Sequence, residues 1–242
     1  MPHWEWHAPP ALARSIAGLA ASSDGAAPEP VRVLPDGGAD LLFSWPERGG
    51  DGAAEVFGPK THALVVADPE PMEKVAVRLR PGCAAAWLGV PAHALADRVL
   101  PLDACWGPAA RELLERLAEA RSPEARRALV EAALLARAAR VAAPGGVLEA
   151  AVAALVASGG RAPVREVARR LGASERRLER AFREHVGLPP KLFSRVVRLE
   201  RARRSLAGGA SQLEAALAAG YHDQAHLHRD CRALAGVAPA AL

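Results

Sequence analysis

The sequence contains no run of about 18 or more apolar residues, so it offers no candidate for a membrane-spanning helix. Its start, MPHWEWHAPP, lacks a basic stretch followed by an apolar one, and no secretion signal is expected. Cysteine is scarce. Cys83, Cys105 and Cys231 are odd in number, widely spaced and form no CxxC pair, which reads as reduced thiols in a cytoplasmic protein. The first half holds only scattered histidines (His3, His7, His62 and His93), against the cluster that a strand-borne metal site needs. No Ser-His-Asp motif or phosphate loop stands out. These absences leave no catalytic residue, metal or cofactor to name, and the chain is not expected to be an enzyme.

Charge, by contrast, is present and unevenly placed. From Gly146 to the end there are 16 Lys and Arg against 9 Asp and Glu, while the remainder holds 15 against 18. A basic C-terminal part beside a mildly acidic one fits a polyanion-binding module attached to something else. A solvated Arg-rich surface is the competing reading of charge alone.

The expected fold class is α+β, with a β-rich, barrel-like N-terminal domain followed by an all-α domain. VRVLPDGGADLLFSW (31–45) places two apolar runs around a Pro-Asp-Gly-Gly turn signal. EVFGP (55–59), ALVVA (63–67) and the alternating KVAVRLR (74–80) are further strand candidates, and CAAAWLGV (83–90) reads as a short helix. A helical hairpin is expected over 108–142, with Pro108 in a first helical position and Ser122 as the second helix's N-cap. Pro144-Gly145-Gly146 breaks the pattern, giving domains 1–143 and 146–242.

The second domain contains an internal repeat. Setting Leu178 over Leu227 places Arg180 on Arg229, Gly187 on Gly236 and Pro190 on Pro239, and GLPP answers GVAP. Each copy has helix-turn-helix anatomy, over 163–186 and 211–235. A scaffold helix ends at Gly172 or Gly220, and Ser174 or Asp223 then caps a second helix. Between the copies, 190–207 reads as one helix stopped by Gly208-Gly209. At about 1.5 Å per residue it makes a rod of roughly 27 Å. Two reading helices on one face of DNA need roughly 34 Å, which the rod and its flanking units can span.

The segments SERRLERAFREHVGLPPKLFSRVVRLERARRSLAGG and AALAAGYHDQAHLHRDCRALAGVAP resemble the AraC/XylS family of transcription regulators, over about 147–242. The segments LPDGGADLLF, GPKTHALVV and RLRPGCAAAWLGVPAHALADRVLPLDACWG are similar to the N-terminal sensor-like domain of one branch of such regulators. The resemblance implies a sequence-specific regulator that inserts two helices into successive major grooves of double-stranded DNA. Its base contacts would be Arg176, Glu179 and Arg180 in the first unit and Gln224, His228 and Arg229 in the second. Ser174, Arg177, Arg183, Lys191 and Asp223 would approach phosphates, with Arg161 nearby. Arginine suits guanine, glutamate suits cytosine and glutamine suits adenine. Ala225 offers no base-reading hydrogen bond, Leu227 and Cys231 stand where the family prefers aromatics, and no basic tail follows Ala240. The second unit is therefore expected to bind more weakly. Further partners the reading allows are a small-molecule effector, a second copy of the chain and, for an activator, RNA polymerase.

Other readings stay open. His222 and His226 are four apart, a zinc-compatible spacing, but a helix cap falls between them and no metal is expected. Asp36 and Asp40 form a carboxylate pair or, preferably, a turn. Cys83 could serve a thiol-dependent enzyme or redox sensor fused to the DNA-binding module, although a plain helix residue is the favoured reading. Trp4, Trp6, Trp45, Trp87 and Trp106 all lie in the first half, as core residues or as the lining of an effector pocket.

Overall fold

The computed structural model describes residues 3–23, 30–141 and 145–242. The N-terminal domain is built on antiparallel strands: β1 (His3–Trp6), β2 (Ile16–Ser23), β3 (Val31–Val33), β4 (Ala39–Pro46), β5 (Ala53–Phe57), β6 (Leu64–Val66), β7 (Met72–Leu79) and β8 (Val99–Pro101). Six of them form one sheet in the order β1-β2-β7-β4-β5-β8, while β3 and β6 make a separate ribbon. The barrel-like expectation is realised as this open sheet, whose edges β1 and β8 do not pair with each other.

Period two governs the sheet. Leu41 pairs with Val77 and Phe43 with Val75 across β4 and β7, and all four are fully buried with Val56 and Leu79. The pleat sends these side chains to one face. The turn at 35–38 does not join two paired strands: β3 runs to the ribbon and β4 to the large sheet. Asp36 Oδ1 accepts the Gly38 N–H at 2.9 Å, so the preferred turn role of Asp36 is met, and Arg78 bridges Asp36 and Asp40. Strand β1 was not read from HWEW, and β2 was not legible because IAGLAASS is poor in the β-branched residues that mark strands.

Helices α1 (Ala84–Leu88), α2 (Ala92–Leu95) and α3 (Asp103–Trp106) follow the sheet. Helices α4 (Pro108–Glu119) and α5 (Pro123–Ala138) form the expected hairpin. Ser122 Oγ accepts the Ala125 N–H, and Leu117, Val130 and Leu134 are buried. The second helix ends at Ala138, short of the expected 142, and position 142 lies outside the described residues. Trp87 is fully buried. Trp45 lies under the Arg126 guanidinium and Trp106 under that of Arg137. The side chain of Trp4 lies outside the described residues.

The remaining chain is helical: α6 (Val147–Ala157), α7 (Val164–Arg170), α8 (Glu175–His185), α9 (Pro190–Ala207), α10 (Gln212–Ala219) and α11 (Gln224–Asp230), the last continuing as a π-helical turn over Cys231–Ala235. It has its own core around Leu178, Phe182, Phe193, Leu199, Leu227 and Cys231, separate from the sheet core. The two halves touch. Gly37 lies against the Phe193 ring with no room for a Cβ, Arg14 pairs with Glu149, and Gly187 sits beside the Ala92 carbonyl.

Candidate nucleic-acid interface

In the first unit α7 buries Val164, Val167 and Ala168, and Gly172 at φ +63° turns the chain. That left-handed conformation favours glycine. Ser174 Oγ then accepts the Arg177 N–H at 3.2 Å and starts α8. Leu178 and Phe182 point into the core, Phe182 edge-on to Phe193. The opposite face carries Arg176, Glu179, Arg180 and Arg183, all exposed and without a hydrogen bond or ion pair among the described residues. Several arginines elsewhere in the domain are engaged: Arg169 and Arg170 with Glu166, Arg203 and Arg204 with Glu200, Arg195 with Asp230. Arg177 lies on the flank of α8, beside a cavity shared with Val90, Pro91 and Leu148 of the neighbouring elements. Lys191 is exposed in the first turn of α9, and Arg161 packs over Gly220 while donating to the Ser158 carbonyl.

The connecting helix α9 is 18 residues long and buries Phe193, Val196, Leu199 and Ala202 along one face. It carries the second unit. Ser211 and Glu214 form a capping box at the start of α10, and Gly220 at φ +90° ends that helix. Asp223 Oδ1 accepts the His226 N–H at 2.6 Å, and that bond holds the Asp223 carboxyl below its ordinary range. Asp223 is thereby the N-cap of α11. Gln224, Ala225 and Arg229 are exposed, and His228 is half-buried. The α-helical part of α11 has seven residues and runs on without a break into the π-helical turn over Cys231–Ala235, whereas α8 is α-helical over all eleven of its residues.

Three features were not foreseen. Gln212 Oε1 accepts from Gln224 Nε2 at 2.7 Å and lies 2.9 Å from His228 Nε2. Arg195 of α9 donates Nε and Nη2 to Asp230 Oδ1 at 3.0 and 2.8 Å, which anchors the end of α11. Arg198 lies over the Tyr221 ring, and burial pushes the Tyr221 hydroxyl well above its ordinary pKa. None of these joins residues whose proximity can be read from spacing.

The three histidines diverge: His222 leans on Asp223, His226 stacks edge-on against Tyr221, and His228 meets Gln212. Among the described residues no group of three His, Cys, Asp or Glu could hold a metal ion. Burial pushes the Cys83 and Cys231 thiols up to about 11, and it raises Cys105 as well. A thiolate at neutral pH is thereby disfavoured.

A family profile described as "Helix-turn-helix domain" matches residues 167–242. The C-terminal domain is an AraC-type helix-turn-helix domain. Its match spans α8, α9, α10 and α11, so the profile covers the second helix of each helix-turn-helix unit and the helix that connects the units. Residues 5–101 match a second profile, "Domain of unknown function (DUF6597)". Among solved structures, an AraC-type regulator from Chromobacterium violaceum is 28% identical, covering 39% of this chain and 87% of that one, with a TM-score of 0.37. An apo ToxT variant from Vibrio cholerae is 8% identical, covering 93% and 95%, with a TM-score of 0.49. A ToxT structure with bound unsaturated fatty acid is 9% identical, covering 98% and 91%, with a TM-score of 0.44. A comparison with curated proteins finds no match. Among the described residues no helix is long and apolar enough to cross a membrane.

Proposed function

We propose that this protein is a sequence-specific, DNA-binding transcription regulator whose α8 and α11 enter successive major grooves. The observation that carries the reading is the face of α8. Arg176, Glu179, Arg180 and Arg183 are exposed and unpaired among the described residues, on the solvent side of a helix whose other side buries Leu178 and Phe182. A helix so anchored holds its polar groups in fixed register, as bidentate reading of base edges requires. In this reading Arg176, Glu179 and Arg180 read bases in the first half-site, and Gln224, His228 and Arg229 read the second. Ser174, Arg177, Arg183, Lys191 and Arg161 approach phosphates. In this reading the functional division falls between 1–143 and 146–242, and the hairpin of α4 and α5 is the contact for a second copy or the route between the domains.

Selection of binding sites from random duplex pools by the full chain tests the proposal. The expected result is a two-part motif with half-sites about one helical turn apart. Recovery of no motif, or of a single half-site that α8 mutations leave unchanged, overturns it. Room for a small-molecule effector exists in the cavity of about 610 Å³ beside Trp45, lined by Asp51, Glu55, Asp103, Arg111 and Glu115. Tryptophan fluorescence titrations report its occupancy.

A further inference from the structure

The two reading helices present their polar groups differently. In α8 the reading side chains are free of protein partners, whereas in α11 two of the three are tied to one atom. That atom is Oε1 of Gln212, on the scaffold helix α10. We propose that Gln212 is a specificity-determining residue of the second unit, acting by fixing which polar atoms Gln224 and His228 offer to DNA. The inference rests on the DNA-reading function above.

The chemistry follows from the acceptor. A carboxamide oxygen only accepts hydrogen bonds, so the His228 Nε2 that meets it carries the proton. In the neutral ring Nδ1 is then a bare acceptor, matched to a base that presents an amino group, cytosine or adenine, in the major groove. Gln224 uses one N–H on Gln212 and keeps its second N–H and its Oε1. Those two atoms are the donor and acceptor a glutamine needs for the edge of adenine. Pinning both side chains before binding also removes rotamer freedom that binding would otherwise have to freeze. The pin is itself anchored. Gln212 is half-buried and directly follows Ser211, whose capping box with Glu214 sets the start of α10. Without Gln212, Gln224 has no other bond among the described residues to orient it, and His228 is free to exchange tautomers.

The test uses the full chain as wild type, Gln212→Ala and Gln212→Met, the last keeping side-chain length without an acceptor. Random-pool selection is followed by anisotropy titrations on the selected duplex and on duplexes altered in one half-site. Expected is an unchanged first half-site and unchanged thermal midpoint. Discrimination in the second half-site should fall by about fivefold or more in both variants. Nitrogen-15 imidazole spectra of the free protein should show His228 as the Nε2–H form in wild type and a tautomer mixture in Gln212→Ala. Variants that select the wild-type second half-site with undiminished discrimination overturn the inference alone. A wild-type chain that selects no motif overturns the DNA-reading function and this inference with it.

Discussion

Ala63 donates its backbone N–H to the Leu234 carbonyl at 2.7 Å, joining the sheet-rich domain to the final turn of the second reading helix. Arg32 of β3 adds a bond to the Ala235 carbonyl at 3.0 Å. Carbonyls at a helix end lack intrahelical partners, and here another domain supplies them. Ala63→Pro and Arg32→Ala each remove a donor. Each should weaken the junction by about 1 kcal/mol and speed amide exchange over 231–238 while leaving α8 unaffected. Exchange rates unchanged in both variants would show that the contact carries no stability.

Arg180→Ala should cost about 1–3 kcal/mol on the selected site and relax preference at one position of the first half-site. The slope of log affinity against log salt should be about −4, since Arg161, Arg177, Arg183 and Lys191 are proposed to neutralise phosphates. Lys191→Ala should reduce that slope by about 1 without changing the preferred motif. Anisotropy at graded salt measures both.

The Arg195–Asp230 pair predicts an asymmetry. Asp230 is 4% exposed, whereas the Arg195 side chain is 41% exposed and can turn to water if its partner is lost. Arg195→Ala strands a buried carboxylate and should cost about 3–5 kcal/mol, more than Asp230→Asn. Pairing Arg195→Met with Asp230→Leu should recover most of the loss. Denaturant midpoints of the four proteins decide the order.

Cys83 and Cys231 should resist alkylation in the native protein at pH 8, because burial holds both thiols near 11. Cys105, half-buried, should react first. Rapid labelling of Cys83 in folded protein would revive the thiol-sensor reading.

Acid should loosen the second unit through Asp223. Its pKa is lowered from 3.8 by the His226 N–H, so the cap's contribution is complete above that value and is lost as pH falls below it. Asp223→Asn keeps the acceptor but cannot titrate, and should remove this component from the acid-unfolding curve monitored at Tyr221.

Local chemistry was legible in sequence wherever the determinant was local. Ser122, Ser174 and Asp223 cap the helices they precede, and Gly172 and Gly220 take the left-handed turns that end each scaffold helix. Alternation in KVAVRLR marked β7 because one face of a sheet is buried. The repeat around Leu178 and Leu227 displayed both reading helices because each unit needs the same anchor in the same register. Strand β2 escaped notice because pairing with β1 and β7, not propensity, holds IAGLAASS extended. The partition of β3 and β4 between two sheets, the Gln212 tie, the Arg195–Asp230 pair and the Ala63–Leu234 junction were settled by tertiary structure alone. Each depends on where two elements meet in space, and spacing along one chain carries no record of that distance.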